Sequence, residues 1–142
     1  MQRPSEAVVD LWIRLNCAQR RLRANIEADL KKAGLPSLDW YSVLLHLKRV
    51  ECGRLSPREI EEGLLFEQYN LSRLLDRMEK EGLVRRIPYP GDKRRQLIEI
   101  TDKGRGLQKR MWLIYGAAID RFLGARLDEG QVEQLSTLLS RL

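Results

Sequence analysis

Residues 55–103 read LSPREIEEGLLFEQYNLSRLLDRMEKEGLVRRIPYPGDKRRQLIEITDK. Three signals follow one another in that stretch. Ser56, Pro57 and Glu59 mark a helix start. The serine accepts from first-turn amides, the proline sits where its missing N–H does no harm, and the glutamate completes a capping box. A second amphipathic helix is expected over about 67–81. Leu71, Leu74, Leu75 and Met78 share one face. Tyr69, Arg73, Asp76 and Lys80 point the other way, because side chains three and four apart stack on one side of a helix. Gly82 ends it. Residues 83–87 and 96–101 are β-like runs, and 88–95 joins them as a hairpin with Pro90, Gly91 and Asp92 at its tip. Helix, helix, basic hairpin is the skeleton of a winged helix-turn-helix.

The flanks are helical. Val8, Leu11, Trp12, Leu15, Ala18, Leu22, Ile26 and Leu30 recur at steps of three and four over about 5–32, which gives one apolar stripe. Gly34 and Pro36 stop that helix. Ser37 can cap another to about 50, with Trp40, Val43, Leu44 and Leu47 inward, and residues 51–53 form a break. Thr101 or Asp102 caps a fifth helix to about 124. Asp128, with Gln131 three residues on, caps a last one carrying Val132, Leu135, Leu138, Leu139 and Leu142. The expected fold is mostly α with a small β-hairpin wing. It forms a single domain over 1–142, with a winged lobe at about 37–103 between helices at 5–32 and 103–142. Those terminal helices carry more apolar surface than one chain of this size covers, so a two-fold homodimer is expected.

The chain has 142 residues, 43% of them hydrophobic, and a net charge of +6. It can bury a real core, and its basic balance favours a polyanionic partner such as nucleic acid. With two cysteines, Cys17 and Cys52, no CxxC pair and the single His46, no metal site or cofactor is expected. There is no nucleophile beside a base and no phosphate-cradling glycine loop. Glu61 and Glu62 read as a solvated pair, so the chain is not expected to be an enzyme. No signal peptide is expected at its start. Its longest nearly apolar run, 111–119, falls far short of the ~20 residues that span a bilayer. A soluble, cytoplasmic protein without membrane contact is expected.

A helix that reads DNA needs polar or planar side chains on its exposed N-terminal half, within reach of base edges in the major groove. Gln68, Tyr69, Asn70, Ser72 and Arg73 occupy that half, with Arg77 a turn later. On the hairpin, Arg85, Arg86, Lys93, Arg94 and Arg95 stand against the single Asp92. Such a cluster binds phosphate by releasing counterions, and an arginine at a loop tip suits a narrow minor groove. Asp92 is expected to brace the loop by pairing with Arg94 or Arg95. Ser56 and Arg58, at a helix N-terminus, can hold a phosphate, although a cap alone explains Ser56 equally well.

Residues 71–86 (LSRLLDRMEKEGLVRR) and 91–104 (GDKRRQLIEITDKG) resemble the MarR family of bacterial regulators. The second matches that family's wing, Asp-x-Arg followed by a strand and Thr-x-x-Gly. The chain departs from the pattern at Glu61, Leu65 and Glu67. The resemblance implies a dimeric, ligand-responsive repressor on double-stranded, pseudo-palindromic operator DNA. Arg94 would enter the minor groove and Asp92 would support it. It also implies a small lipophilic or phenolic effector, for which Trp12, Trp40, Tyr41 and His46 are the candidate pocket residues. A thiol-based redox regulator acting through Cys17 is one alternative, although a buried, inert Cys17 is expected. A winged helix used only for protein contacts is another, and the basic wing argues against it.

Overall fold

The computed structural model describes residues 1–65 and 70–142; Gln68 and Tyr69 lie outside the described residues. The chain divides into two compact units, one of Met1–Ala33 with Ile114–Leu142 and one of Gly34–Leu113.

The second unit holds α2 (Leu38–Arg49), β1 (Arg54–Leu55), α3 (Pro57–Gly63), α4 (Leu71–Lys80), β2 (Val84–Tyr89), β3 (Asp92–Ile100) and the start of α5 (Asp102–Phe122). The strands form an antiparallel sheet in the order β1-β3-β2. The sheet has one strand more than the expected hairpin. β1 pairs Arg54 with Glu99 and Leu55 with Ile98. Two residues have no readable period, so only their partner on β3 makes them a strand. Leu44, Leu47, Ile60, Met78, Ile98 and Met111 are completely or almost completely buried. They tie α2, α3, α4, the sheet and α5 into one core. The capping box at α3 is present: the Ser56 hydroxyl accepts from the Glu59 amide at 3.2 Å, and the Glu59 carboxylate accepts from the Ser56 amide at 3.1 Å. Hydrogen bonding to Ser56, its backbone amide first and its hydroxyl second, holds the Glu59 carboxyl below its usual range.

Two close approaches set the helices against each other. At the start of α5, the Thr101 hydroxyl donates to the Gly82 carbonyl at 2.6 Å and accepts from the Gly104 amide at 3.1 Å. Thr101 is therefore the cap. A Cβ on residue 104 would lie 2.2 Å from the Leu83 carbonyl oxygen. The Thr-x-x-Gly run is thus a cap followed, three residues on, by a backbone-to-helix contact. On α2, the His46 ring lies 3.1 Å, Nε2 to oxygen, from the Glu59 carbonyl. A carbonyl only accepts, so Nε2 carries the proton. That ring fills the space a Cβ on Gly63 would need. His46 is half-buried and hydrogen-bonded, as its apolar sequence neighbours imply.

The first unit holds α1 (Glu6–Lys32), the end of α5, a 3-10 turn at Gly124–Arg126 and α6 (Glu129–Leu139). Ser5 caps α1, and Asp128 with Gln131 forms the expected capping box of α6. Asp29 of α1 pairs with Arg121 of α5 at 2.5 Å, and Ile26, Leu30 and Ala118 are buried. Much of the apolar stripe remains uncovered within the chain: Trp12 keeps 67% of its surface, and Val132, Leu135, Leu138 and Leu139 each keep more than 40%. Cys17, expected to be buried, is exposed, as is Cys52. Periodicity places a residue on a stripe, but it does not say what covers the stripe.

Candidate nucleic-acid interface

α4 begins one residue after Asn70, whose side-chain oxygen accepts from the Arg73 amide at 3.2 Å. Asn70 is therefore the helix cap, and its oxygen is committed to the backbone rather than to a base edge. Ser72, Arg73 and Arg77 are exposed on α4. Beside them is a polar cleft of about 260 Å³, lined by Asn70, Arg73 and Arg77 of this segment and by Ser37, Asp39 and Trp40 at the start of α2. Sequence reasoning did not assign Ser37 to this surface. It is the N-cap residue of α2, yet its side chain makes no capping bond.

The wing departs from a plain hairpin at its tip. Pro88 pairs with Gln96, and Tyr89, the next residue, pairs with Asp92. Lys93, Arg94 and Arg95 thus have no counterpart on β2 and form a bulge, which bends the strand and re-aims its side chains. The Asp92 carboxylate accepts from the Arg94 backbone amide at 2.9 Å. Asp92 does brace the loop, through the backbone and not by pairing with a guanidinium. The Arg95 guanidinium lies 4.8 Å from the centre of the Tyr89 ring, a cation–π contact. All three bulge side chains are exposed.

Arg85 and Arg86 do not join them. Arg85 pairs with Glu99, which also takes Arg54 at 2.5 Å. Glu99 sits directly across from both arginines in the sheet and is 92% buried (8% exposed). The two guanidiniums, Arg54 first, hold its carboxyl below the usual range. Arg86 pairs with Asp76 at 2.7 Å and Glu79 at 2.8 Å on α4. The five-cation reading of the hairpin is therefore corrected to three exposed cations, Lys93, Arg94 and Arg95, that are in no ion pair among the described residues. Strand alternation sends the neighbours Arg85 and Arg86 to opposite faces, and each face supplies carboxylates. Arg58 lies 3.4 Å from Glu62 in a fully exposed pair, which is weak. Both polar groups of Ser56 are used in the capping box.

The effector candidates have different neighbours. Trp40 lines the cleft beside α4, His46 bonds to α3, and Trp12 belongs to the other unit. Tyr41 is buried and stacks on Trp112 with ring centres 6.4 Å apart. Its hydroxyl accepts from the Gln108 amide at 3.3 Å, and the Gln108 carbonyl accepts from Lys48 at 2.8 Å. This Lys48–Gln108–Tyr41 chain joins α2 to α5; residues 60 or more apart leave no local signal for it.

Residues 33–95 match the model of the MarR family. Over 106 residues the chain is 34% identical to the HTH-type transcriptional regulator PrsX of Escherichia coli, covering 75% of this chain and 61% of PrsX. The chain thus spans less than two thirds of that relative. With the HTH-type transcriptional regulator MhqR of Bacillus subtilis it shares 27% over 139 residues, covering 97% of this chain and 92% of MhqR. Sco3205, a MarR family transcriptional regulator from Streptomyces coelicolor solved in complex with DNA, is similar with a TM-score of 0.86 and 26% identity, covering 99% of this chain and 88% of that one. With its capped helix pair, basic wing and Thr-x-x-Gly junction in that order, the chain is similar to the transcriptional regulators of the MarR family.

Proposed function

We propose that this protein is a sequence-specific transcriptional regulator that binds double-stranded DNA as a homodimer on a pseudo-palindromic operator, and that it acts as a ligand-responsive repressor. The observation that carries this is the wing bulge, where Asp92 holds the Arg94 backbone and leaves its guanidinium exposed. Arg94 takes the minor groove, with Lys93 and Arg95 on adjoining phosphates. On α4, Ser72 and Arg73 read base edges, together with Gln68 and Tyr69, and Arg77 meets the backbone. The DNA in the Sco3205 structure supports this reading.

The dimer is supported by the uncovered apolar face of α1 and α6, where Trp12, Val132, Leu135 and Leu138 stay exposed within one chain. A second copy, related by a two-fold axis, is the partner assigned to that face. A small phenolic or lipophilic effector acts where Tyr41 and Trp112 stack beside Gln108 and Lys48. Selection of bound duplexes from a random library, followed by sedimentation of the complex, tests the proposal. A two-fold consensus bound by two subunits is expected. A single subunit indifferent to every duplex at low salt would refute it. Titrating simple phenols against tryptophan fluorescence and operator release tests the effector.

A further inference from the structure

Arg86 is the one hairpin arginine whose side chain is largely covered, at 22% exposure against 66% for Arg85. Its Nη2 lies 2.7 Å from Asp76 Oδ1 and its Nη1 lies 2.8 Å from Glu79 Oε1. Its backbone amide donates to the other Glu79 oxygen at 3.0 Å. Asp76 and Glu79 are three residues apart and so share one face of α4. One guanidinium therefore spans two carboxylates on a single helical turn, and the Glu79 carboxylate also holds the strand backbone. Arginine's planar fork suits this bridging and lysine's point charge does not.

The geometry makes little sense as a phosphate contact. Two carboxylates against one guanidinium leave a local excess of negative charge beside the helix, which opposes a phosphate. As a strut it makes sense. β2 is one leg of the hairpin, and the other leg carries the Arg94 bulge. α4 carries Ser72, Arg73 and Arg77. Reading two adjacent grooves at once requires a fixed angle between helix and wing. Charge-assisted bonds from one residue on β2 to two on α4 supply it.

We propose that Arg86 is a positioning residue for DNA recognition: through Asp76 and Glu79 it sets the wing at the angle to α4 that lets both engage one half-site. This rests on the DNA-binding reading above. In consequence, the two acids beside the recognition helix raise specificity while lowering affinity for DNA in general.

The test compares wild type, Arg86→Gln, Arg86→Lys and the double variant Asp76→Asn/Glu79→Gln. Fluorescence anisotropy is measured on a selected operator and on a random duplex across a salt series, with circular dichroism to establish that each variant is folded. Both the glutamine variant and the double variant should lose the operator-over-random ratio by roughly tenfold, comparable with one mismatched base pair. Arg86→Lys should fall between them and wild type. The salt slope of Arg86→Gln on random duplex should match wild type, since no phosphate contact is removed. A slope reduced by about one, with equal losses on both duplexes, would overturn the proposal in favour of a direct phosphate contact. So would a double variant that binds both duplexes more tightly at an unchanged ratio, and this arm stands even if Arg86→Gln fails to fold. If wild type itself does not distinguish operator from random duplex, the DNA-binding reading fails instead.

Discussion

Replacing Gly104 by alanine isolates the contact that seats α5 on the winged lobe. The new Cβ would lie 2.2 Å from the Leu83 carbonyl oxygen, 3.0 Å from Ile100 and 3.2 Å from Leu44. Carbon and carbonyl oxygen ordinarily meet at about 3.3 Å, so one must retreat by roughly 1 Å. The oxygen cannot move freely, because it accepts from the Thr101 amide at 3.1 Å. The helix cannot move freely either, because Thr101 caps it and bonds Gly82. Glycine to alanine inside a helix should by itself gain about 0.8–1 kcal/mol. Overpacking of this kind costs about 1–3 kcal/mol, and weakening one backbone bond adds about 1 kcal/mol. The clash wins, with a net loss of about 1–3 kcal/mol. Gly106 is the control: it lies two residues on in the same helix, and nothing stands within 4 Å of its Cβ position. Gly106→Ala should keep the intrinsic gain. For a chain of this size 1 kcal/mol is roughly 2–4 °C. Gly106→Ala should therefore melt about 2–4 °C above wild type, and Gly104→Ala several degrees below it. Thermal melts by circular dichroism at matched protein concentration make the comparison, since association shifts Tm. A Gly104→Ala variant that melts level with or above Gly106→Ala would refute this account of the junction.

Arg94→Ala should weaken operator binding at least about tenfold while leaving the sedimentation of the protein unchanged; undiminished affinity in a gel-shift titration would remove Arg94 from the groove. Arg73→Ala should relax sequence preference more than it lowers binding to random DNA, and equal losses on both would count against a base contact. Glu99 gives a pH signature. Its carboxyl is held below its unfolded value of about 4.3, so its stabilisation is complete above that value and disappears as pH falls through the lower native one. The stability gap between wild type and Glu99→Gln should therefore narrow as the pH falls below about 4.3. A constant gap would mean that the charge on Glu99 does not hold the sheet.

Local chemistry made much of this fold legible. Ser56 with Glu59, and Asp128 with Gln131, are short-range cap signatures, and both form as read. The apolar periods of α2 and α4 put Leu44, Leu47, Leu74 and Met78 in the core. What stayed hidden depends on distant partners. β1 exists only against Glu99 and Ile98. Lys48 finds Gln108 across 60 residues. Asn70 carried a signal that went unused, since asparagine is among the best helix caps. Cys17 was misjudged because the general preference of free cysteine for burial was followed, although Cys17 is not among the residues of the apolar stripe of α1. Within the candidate site, the wing tip was legible as chemistry, but the bulge was not, because nothing in Lys93, Arg94 or Arg95 announces a register shift.

The arginines of the hairpin show why counting charge overstates a nucleic-acid surface. Arg85 and Arg86 are as cationic as Arg94, yet carboxylates on the two faces of the sheet claim them. Each phosphate neutralised on duplex DNA contributes about 0.9 to the slope of log K against log salt, so five acting cations per wing would give about 4.5 and three about 2.7. The second figure is expected here, because among the described residues Lys93, Arg94 and Arg95 are exposed and none is held in an ion pair like those of Arg85 and Arg86, and an arginine in the narrow groove displaces counterions as a phosphate contact does. The sharper comparison is between single substitutions on the same random duplex. Arg94→Gln should lower the slope by about 0.9 per subunit. Arg85→Gln should leave the slope unchanged and show its loss in thermal stability instead, because it takes one of two guanidiniums from a buried Glu99. Equal slope changes for the two variants would mean that Arg85 leaves Glu99 for phosphate when DNA binds. The sheet would then be a reservoir of cations rather than a frame for them.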